Sequence, residues 1–198
     1  MINIQVDGSA LQVDLGGIKT MGDLLELVKS SIDPDTMITA IEFNGQTLSD
    51  SDWTLPLNQQ TGRTLEISTG TKRAYLSERF AASASILDEI IKEFAAAGDS
   101  YRSGSSPDGN AKLSQAVEDL GAFVNWYSSL LSMDPESYVQ QTNAYNDQVD
   151  GLQKICEQIL QQQLYNSWWV LAETIKTRLN PKLEEIRGLC TQLADTVQ

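Results

Sequence analysis

Residues 134–197 read DPESYVQQTNAYNDQVDGLQKICEQILQQQLYNSWWVLAETIKTRLNPKLEEIRGLCTQLADTV, and their apolar positions decide the fold. Apolar side chains recur there at steps of three and four residues, which places them on one stripe of an α-helix; strands cannot produce this period. The stripe consists of Val149, Leu152, Cys156, Ile159, Leu160, Leu164, Trp168, Leu171, Ile175, Leu179, Leu183, Ile186, Leu189, Leu193 and Val197. One helix of this span would exceed the usual length in globular proteins, so we expect it to fold back once.

Two positions are candidates for that turn. One is residues 165–167, where an asparagine and a serine can cap a new helix before Trp168; the other is Asn180-Pro181. Antiparallel helices that pack together are usually similar in length, which favours residues 165–167. Pro181 would then kink the last helix or lie at a local distortion.

The segments upstream predict two more helices that cover this stripe. The first carries Leu76, Phe80, Ala84, Leu87, Ile90, Ile91 and Phe94 and is expected to end near Gly98. Residues 99–110 are rich in serine, glycine and proline and predict a mobile loop before a second helix over 112–132. The third helix is expected to begin with Asp134 as N-cap and Pro135 at its first position. Residues 71–198 therefore predict an antiparallel four-helix bundle.

Residues 1–70 follow a different pattern, with alternation typical of strands around one helix. Ile2, Ile4 and Val6 alternate with polar residues, and after residues 7–9 the alternation resumes over 11–15, which predicts a hairpin. Thr20 is the expected N-cap of a helix that ends at Asp33-Pro34-Asp35. Alternation returns over 41–43, before an Asn-Gly turn, and over 65–68.

The order of these elements, with IEFNGQTL at 41–48, residues 50–57 and TLEI at 64–67, resembles ubiquitin and its β-grasp relatives over about the first 70 residues. The resemblance implies a β-grasp domain at 1–70. Ubiquitin docks partners through an apolar patch on its third and last strands, whereas the matching positions here are Glu42 and Ser68, both polar. Ubiquitin also ends in a free diglycine, but here Thr69-Gly70 continues into the helical segment. The resemblance therefore implies a scaffold without ubiquitin's docking patch or conjugation chemistry.

Composition excludes several classes of function. The net charge is −13, of which −7 lies in residues 1–70, so nucleic acid and anionic membranes are disfavoured as partners. A basic protein remains open as a partner, although high negative charge more often serves solubility. The chain contains no histidine, which excludes Ser-His-Asp and Cys-His nucleophiles and any metal site that uses histidine. Two cysteines alone cannot hold a four-thiolate cluster. No glycine-rich nucleotide loop is present, and no cofactor is expected.

The two cysteines and the first residues bear on location. Cys156 and Cys190 both fall on apolar helical stripes and predict buried thiols rather than a disulfide. The first seven residues carry neither a basic nor an apolar signal region, so we expect no secretory signal and a cytoplasmic protein.

Aromatic residues displaced from the main stripes are the candidate binding residues. Trp169 lies about 100° around the helix from Trp168, in line with Tyr165, and Trp126 is similarly displaced on the second helix. A wide bundle stripe could bury all three, and this core interpretation is favoured. The functional alternative is a partner-binding or self-association face made of Trp126, Tyr165 and Trp169.

We therefore expect a non-catalytic adaptor or assembly factor that consists of a β-grasp domain followed by a four-helix bundle. Its expected partner is another protein, with a basic protein as one open class, or a second copy of the same chain. One alternative is a small enzyme that uses carboxylate or tyrosine chemistry in a groove between the domains. Another is an acidic decoy that imitates nucleic acid, although acidic and basic residues are interspersed in the bundle.

Overall fold

The computed structural model describes residues 2–34, 36–60 and 62–197, and it contains both helices and strands. The chain divides into two compact units, Met1–Tyr75 and Leu76–Gln198. The amino-terminal unit contains the sheet, and the described elements of the second, the helical unit, are helices. Asp35, in the predicted helix stop, and the end residues 1 and 198 of the predicted domains lie outside the described residues.

The amino-terminal unit is a five-stranded mixed sheet with one helix. The strands are β1 (Asn3–Val6), β2 (Ser9–Ala10), β3 (Thr36–Phe43), β4 (Gln46–Thr47) and β5 (Thr64–Thr71). Their order in the sheet is β2-β1-β5-β3-β4. β1 and β5 are parallel, and the other neighbours are antiparallel. Two 3₁₀ segments, Asp50–Thr54 and Leu57–Gln59, lie between β4 and β5.

The predicted hairpin is present but shorter than expected. Its turn has positive φ at Asp7 (50°) and Gly8 (75°), a conformation that aspartate tolerates and glycine adopts freely. β2 ends at Ala10, so the prediction of a strand over 11–15 is wrong. Leu11 and Val13 still pack against the core. Every second side chain in this segment faces the core. An extended segment can produce such alternation without pairing with another strand.

The helix α1 (Met21–Lys29) begins as predicted at Thr20. The Thr20 hydroxyl accepts from the Asp23 N–H at 3.2 Å, and the Asp23 carboxylate accepts from the Thr20 N–H at 3.1 Å, which forms a capping box. Leu24, Leu25 and Val28 on its inner face are buried with side chains of β1 and β5. This face forms the hydrophobic core of the unit.

The other face of the sheet is polar. Along β5, Leu65 and Ile67 are buried, whereas Glu66 and Ser68 alternate with them and are exposed. Glu66 lies opposite Glu42 on β3. The side chains of Glu42 and Ser68, the two positions matched to ubiquitin's docking patch, are thus solvent-exposed and polar.

The helical unit contains four long helical segments. They are α2 (Lys72–Arg102), α3 (Ser106–Met133), α4 (Val139–Leu164) and a last segment made of α5 (Trp168–Thr174), a π-helix (Ile175–Leu179) and α6 (Asn180–Val197). α2 begins directly after β5 ends at Thr71. This last segment contains the second half of the apolar stripe, from Trp168 to Val197.

The prediction of a mobile loop over 99–110 is wrong. Only residues 103–105 connect α2 to α3. Gly109 is a buried helix residue, and a Cβ there would lie 2.7 Å from ring carbons of Tyr101. The glycine therefore permits close helix packing, and Pro107 lies in the first turn of α3, where proline is well tolerated. Residues 99–110 have a composition typical of loops, but most of them form the end of α2 and the start of α3, which contact each other.

The third helix begins later than predicted. Residues 134–138 form a turn, and α4 starts at Val139 rather than at Asp134. Tyr138, the residue before α4, is buried, and its ring meets that of Phe80 at a centroid distance of 5.4 Å. This aromatic contact places the start of the helix and outweighs the local capping signal of Asp134 and Pro135.

The chain reverses between α4 and α5 at residues 165–167, the alternative favoured by the sequence. Asn166 has φ of 53°, in the left-handed region that asparagine tolerates better than most residues. Pro181 lies directly after the π-helix, where the Asn180 N–H donates to the Ile175 carbonyl five residues earlier. Because Pro181 has no N–H to donate to Thr177, a wider turn is accommodated there without breaking the helix.

Aromatic rings from three helices and one turn meet in the core of the helical unit. The Phe80 and Tyr127 rings lie 5.6 Å apart, Tyr127 and Tyr145 lie 4.8 Å apart, and Phe123 stacks on Tyr127 at 5.6 Å. Phe80 has no exposed surface. These edge-to-face and stacked contacts connect α2, α3 and α4.

Candidate functional site

Exposed apolar side chains are concentrated around the α4–α5 turn. Leu164, Tyr165 and Trp169 are 72%, 81% and 68% exposed, and Leu160 and Val170 are also exposed. We call these five residues the turn patch. Leu160 and Leu164 lie one helical turn apart on α4, Tyr165 is the residue after that helix, and Trp169 and Val170 belong to the first turn of α5. The expectation that the bundle core buries Tyr165 and Trp169 is therefore wrong.

The neighbouring tryptophan shows why Trp169 remains outside. Trp168 stacks face to face on Tyr101, with ring centroids 5.4 Å apart and planes at 2°. The Tyr101 hydroxyl donates to Asn110 at 2.8 Å, and Asn110 also accepts from Gln163 at 2.9 Å. Successive helix residues point about 100° apart, so the fixed inward direction of Trp168 turns Trp169 towards solvent.

Trp126 does not lie with the other two predicted residues. The Gln163–Asn110 hydrogen bond places the end of α4 beside the start of α3, and Trp126 lies about 24 Å further along α3 at the helical rise. It is half-buried, and its ring contacts Phe123 and Tyr127. The predicted single face made of Trp126, Tyr165 and Trp169 is therefore two separate surfaces.

Trp126 lies in a groove of about 510 Å³ between α2 and α3, which we call the α2–α3 groove. Five of its eight lining residues are apolar and three are acidic: Ile86, Glu89, Ile90, Glu93, Asp119, Ala122, Phe123 and Trp126. The three carboxylates come from two helices. Glu93 belongs to α2 and Asp119 to α3, so spacing along the sequence does not indicate that these two carboxylates meet.

Glu93 is the electrostatically unusual group of this groove. Its Oε2 atom is enclosed and has no hydrogen-bond partner among the described residues. Burial raises the pKa of Glu93, and Asp119, through its charge and a side-chain hydrogen bond to Glu93, raises that pKa further, as does the charge of Glu89. Asp119 accepts a hydrogen bond from the neutral Gln115 amide at 3.0 Å. The pair thus concentrates negative charge at one end of the groove.

Substitution Glu93→Gln is expected to raise the melting temperature of the protein by about 1–3 °C at about pH 7 and to give no gain at about pH 3.5. Because the pKa of Glu93 is raised in the folded state, the folded chain binds more protons than the unfolded chain between the two pKa values, and stability is lost as pH rises through that window. Glutamine removes this loss. Circular dichroism melts across the pH range measure it.

The matched control is Glu118→Gln, an exposed carboxylate on α3 beside Asp119. Its effect on the melting temperature should be small at every pH. A gain for Glu93→Gln that is equally large at low and neutral pH would contradict the assignment of a raised pKa.

A second apolar groove, of about 530 Å³, lies between α3 and α4 above Phe94 of α2. Leu113, Val117 and Ile159 line it, and Leu160 of the turn patch reaches it from α4. It therefore extends the apolar surface of the turn patch along α4.

Both cysteines are free thiols, as predicted, although only Cys190 is fully buried. Cys156 is half-buried in the α3–α4 groove. Burial and the neighbouring Glu157 raise the pKa of the Cys156 thiol. The thiolate, which is the reactive form of cysteine, is therefore disfavoured at Cys156.

One polar cluster resembles a nucleophile with its partners and was not anticipated. Ser100 donates to Asp108 at 2.5 Å, and Lys112 donates to Ser100 at 3.0 Å and to Asp108 at 2.8 Å. Ser100 lies near the end of α2, and Asp108 and Lys112 lie in the first turns of α3. Neither groove described above is lined by these residues. These hydrogen bonds connect the end of α2 to the start of α3 and so stabilise the short turn between the two helices.

The buried tyrosines are held neutral. Burial raises the pKa of Tyr101 to about 12, and it also raises the pKa of Tyr127 and Tyr145. A tyrosinate base at neutral pH is therefore disfavoured at these three positions.

Among residues 2–34, 36–60 and 62–197, no group of three or more cysteine, aspartate or glutamate side chains is arranged to hold a metal ion. Within the same residues, none of the helices combines the length and apolar character needed to cross a bilayer. Comparison of the chain with protein-family models, curated proteins and solved structures finds no match.

Proposed function

We propose that this protein is a non-catalytic protein-interaction module that docks a partner protein on the turn patch. The observation that carries the proposal is the exposure of Leu164, Tyr165 and Trp169 beside one tight turn, although neighbouring stripe residues such as Leu171 are buried. Tyrosine and tryptophan are enriched among the residues that dominate binding energy at protein interfaces.

The apolar surface continues beyond the turn. Leu160 belongs both to the turn patch and to the α3–α4 groove, where Val117 is a second exposed apolar residue. A partner seated on Tyr165 and Trp169 could extend along this groove and bury both. Aromatic anchors beside an apolar cleft are typical of helix-in-groove and loop-in-groove recognition.

The net charge of −13 bears on the class of partner. An acidic surface repels nucleic acid and anionic lipid headgroups, so a protein is favoured as the occupant. The two free cysteines support a reducing, cytoplasmic location as part of the same proposal.

We also propose specific folds for the two units. The element order of the amino-terminal unit, a hairpin, one helix, β3, a turn and β5, supports a β-grasp fold. Short connections at 103–105 and 165–167 support an antiparallel four-helix bundle for the helical unit. Ion pairs between Asp88 and Arg187 and between Arg102 and Glu173 connect α2 to the last helical segment, as such a bundle requires.

Trp169→Ala is expected to weaken binding of the partner by at least about tenfold, because an exposed tryptophan in an apolar patch is a typical hot spot. A photo-reactive cross-linker at Tyr165 captures proteins at the patch in the source cell's extract, and the captured partner is then titrated against both variants. Light scattering after size exclusion tests whether the captured partner is a second copy.

The matched control is Val139→Ala, an exposed apolar residue at the opposite end of α4. It should leave the affinity unchanged, and both variants should melt close to the wild type because surface substitutions have small effects. A partner that binds Trp169→Ala and wild type equally well would refute docking at the turn patch.

A further inference from the structure

The α2–α3 groove differs from the turn patch in carrying charge as well as apolar surface. Ile86 and Ile90 of α2 face Phe123 and Trp126 of α3 across it. On each helix the lining spans eight residues, 86–93 and 119–126, which is about two helical turns or about 10 Å along the axis. An apolar trough of this length between two helices accepts two turns of a third helix.

The groove has a direction. α2 and α3 are connected by only residues 103–105, so Glu93 and Asp119 lie at the end of the groove nearer that turn. Ile86 and Trp126 lie at the far end. An occupant would therefore meet apolar and aromatic surface at one end and two carboxylates at the other.

Neither Glu93 nor Asp119 forms an ion pair with a lysine or arginine in the part of the chain that the structure describes. Glu89 forms an ion pair with Lys92 at 2.7 Å, whereas the enclosed Glu93 Oε2 has no hydrogen-bond partner among the described residues. Asp119 accepts from the neutral Gln115 amide at 3.0 Å and shares a hydrogen bond with the Glu93 carboxyl group. A guanidinium or ammonium group placed between Glu93 and Asp119 would supply donors to both and remove their mutual repulsion.

We propose that the α2–α3 groove binds a cationic amphipathic helix of a partner protein. Apolar side chains of that helix, spaced three or four residues apart, pack on Ile86, Phe123 and Trp126. An arginine or lysine one turn further donates to Glu93 and Asp119. A second copy of this chain is disfavoured because it is itself acidic, with a net charge of −13.

This inference rests on the proposed role in protein binding but assigns a different surface and a defined partner chemistry. The probe is a fluorescein-labelled synthetic helix of about 18 residues, built from leucine, alanine and arginine with leucines on one stripe and arginines beside it. One comparison peptide has the same composition in scrambled order, and another has glutamate in place of arginine. Fluorescence anisotropy with the full chain measures affinity from about 50 to about 200 mM NaCl.

The amphipathic cationic peptide is expected to bind saturably and more weakly as salt increases, and both comparison peptides should bind at least about tenfold more weakly. Trp126→Ala should reduce affinity by about tenfold or more. The double variant Glu93→Gln, Asp119→Asn should also reduce it and flatten its salt dependence. Because Trp126 contacts core rings, its variant could lose stability; the double carboxamide variant tests the groove without removing apolar contacts.

Two control variants separate this proposal from docking at the turn patch. Glu118→Gln neutralises an exposed carboxylate of α3 outside the groove lining, and Trp169→Ala alters the turn patch. Both should bind the peptide with wild-type affinity. Absence of saturable binding, equal binding of the scrambled peptide, or an equal loss with Glu118→Gln would overturn the groove assignment. Loss only with Trp169→Ala would overturn it as well, while leaving the turn patch as a docking surface.

Discussion

Substitution Phe80→Ala is expected to lower the free energy of unfolding of the helical unit by about 3–5 kcal/mol. Phe80 is completely buried, and its ring meets those of Tyr127 and Tyr138 at 5.6 and 5.4 Å. Alanine loses the free energy of burying the Phe80 ring, and it leaves a cavity that the surrounding aromatic rings cannot close by small shifts. The contact with Tyr138 also places the start of α4, so its loss affects two helices.

Urea unfolding followed by circular dichroism at the helical band measures this change, with equal m-values as the test of an unchanged unfolded state. Ile86→Ala, a partly exposed apolar residue on the same helix, is the control and should cost far less. A loss below about 1 kcal/mol for Phe80→Ala would contradict the described aromatic core.

Gly109→Ala should destabilise the helical unit by about 2–3 kcal/mol, although alanine normally favours a helix over glycine. The added Cβ would lie 2.7 Å from Cδ1 and Cε1 of the Tyr101 ring. That ring cannot move aside freely, because it stacks on Trp168 and its hydroxyl donates to Asn110. Overpacking of this kind costs more than the roughly 1 kcal/mol that helix propensity returns.

Gly121→Ala provides a matched control in the same helix. Nothing lies within 4 Å of a Cβ built on Gly121, so propensity alone acts, and we expect a gain of up to about 1 kcal/mol. Opposite signs for the two glycine variants in parallel urea titrations are the predicted result. Stabilisation by Gly109→Ala would mean that Tyr101 does not pack against α3 as described.

Local sequence signals located most elements of the helical unit. The apolar stripe over 149–197 and the reversal at 165–167 depend on helical periodicity and on an asparagine that tolerates left-handed φ, both properties of neighbouring residues. The distortion before Pro181 follows from its missing N–H. In the amino-terminal unit, Thr20 caps α1 through Asp23, a residue only three positions away.

The errors arose where a distant contact outweighed a local signal. Residues 99–110 have the composition of a loop, but Gly109 and Tyr101 use it for close helix packing. Asp134 and Pro135 have the composition of a helix start, but the buried Tyr138 shifts that start to Val139. Neither contact can be read from a window of a few residues.

The candidate surfaces were only partly predictable for the same reason. Helical spacing places Trp168 on the apolar stripe and Trp169 about 100° away from it, but it does not tell whether a wide stripe also buries Trp169. Trp168 stacks on Tyr101, whereas Trp169 is exposed. Likewise Glu93 and Asp119 belong to different helices, and only the packing of α2 against α3 places both in one groove.

The amino-acid sequence by itself determined where most helices and strands form and that the surface is acidic. Periodicity and capping depend only on neighbouring residues, and net charge is a sum over all residues. The tertiary structure alone decided that Trp126 is separated from Tyr165 and Trp169, that the turn patch stays exposed, and that Glu93 and Asp119 meet without a lysine or arginine partner among the described residues. Exposure and charge pairing depend on which helices pack together, and that packing is set by contacts between residues far apart in the chain.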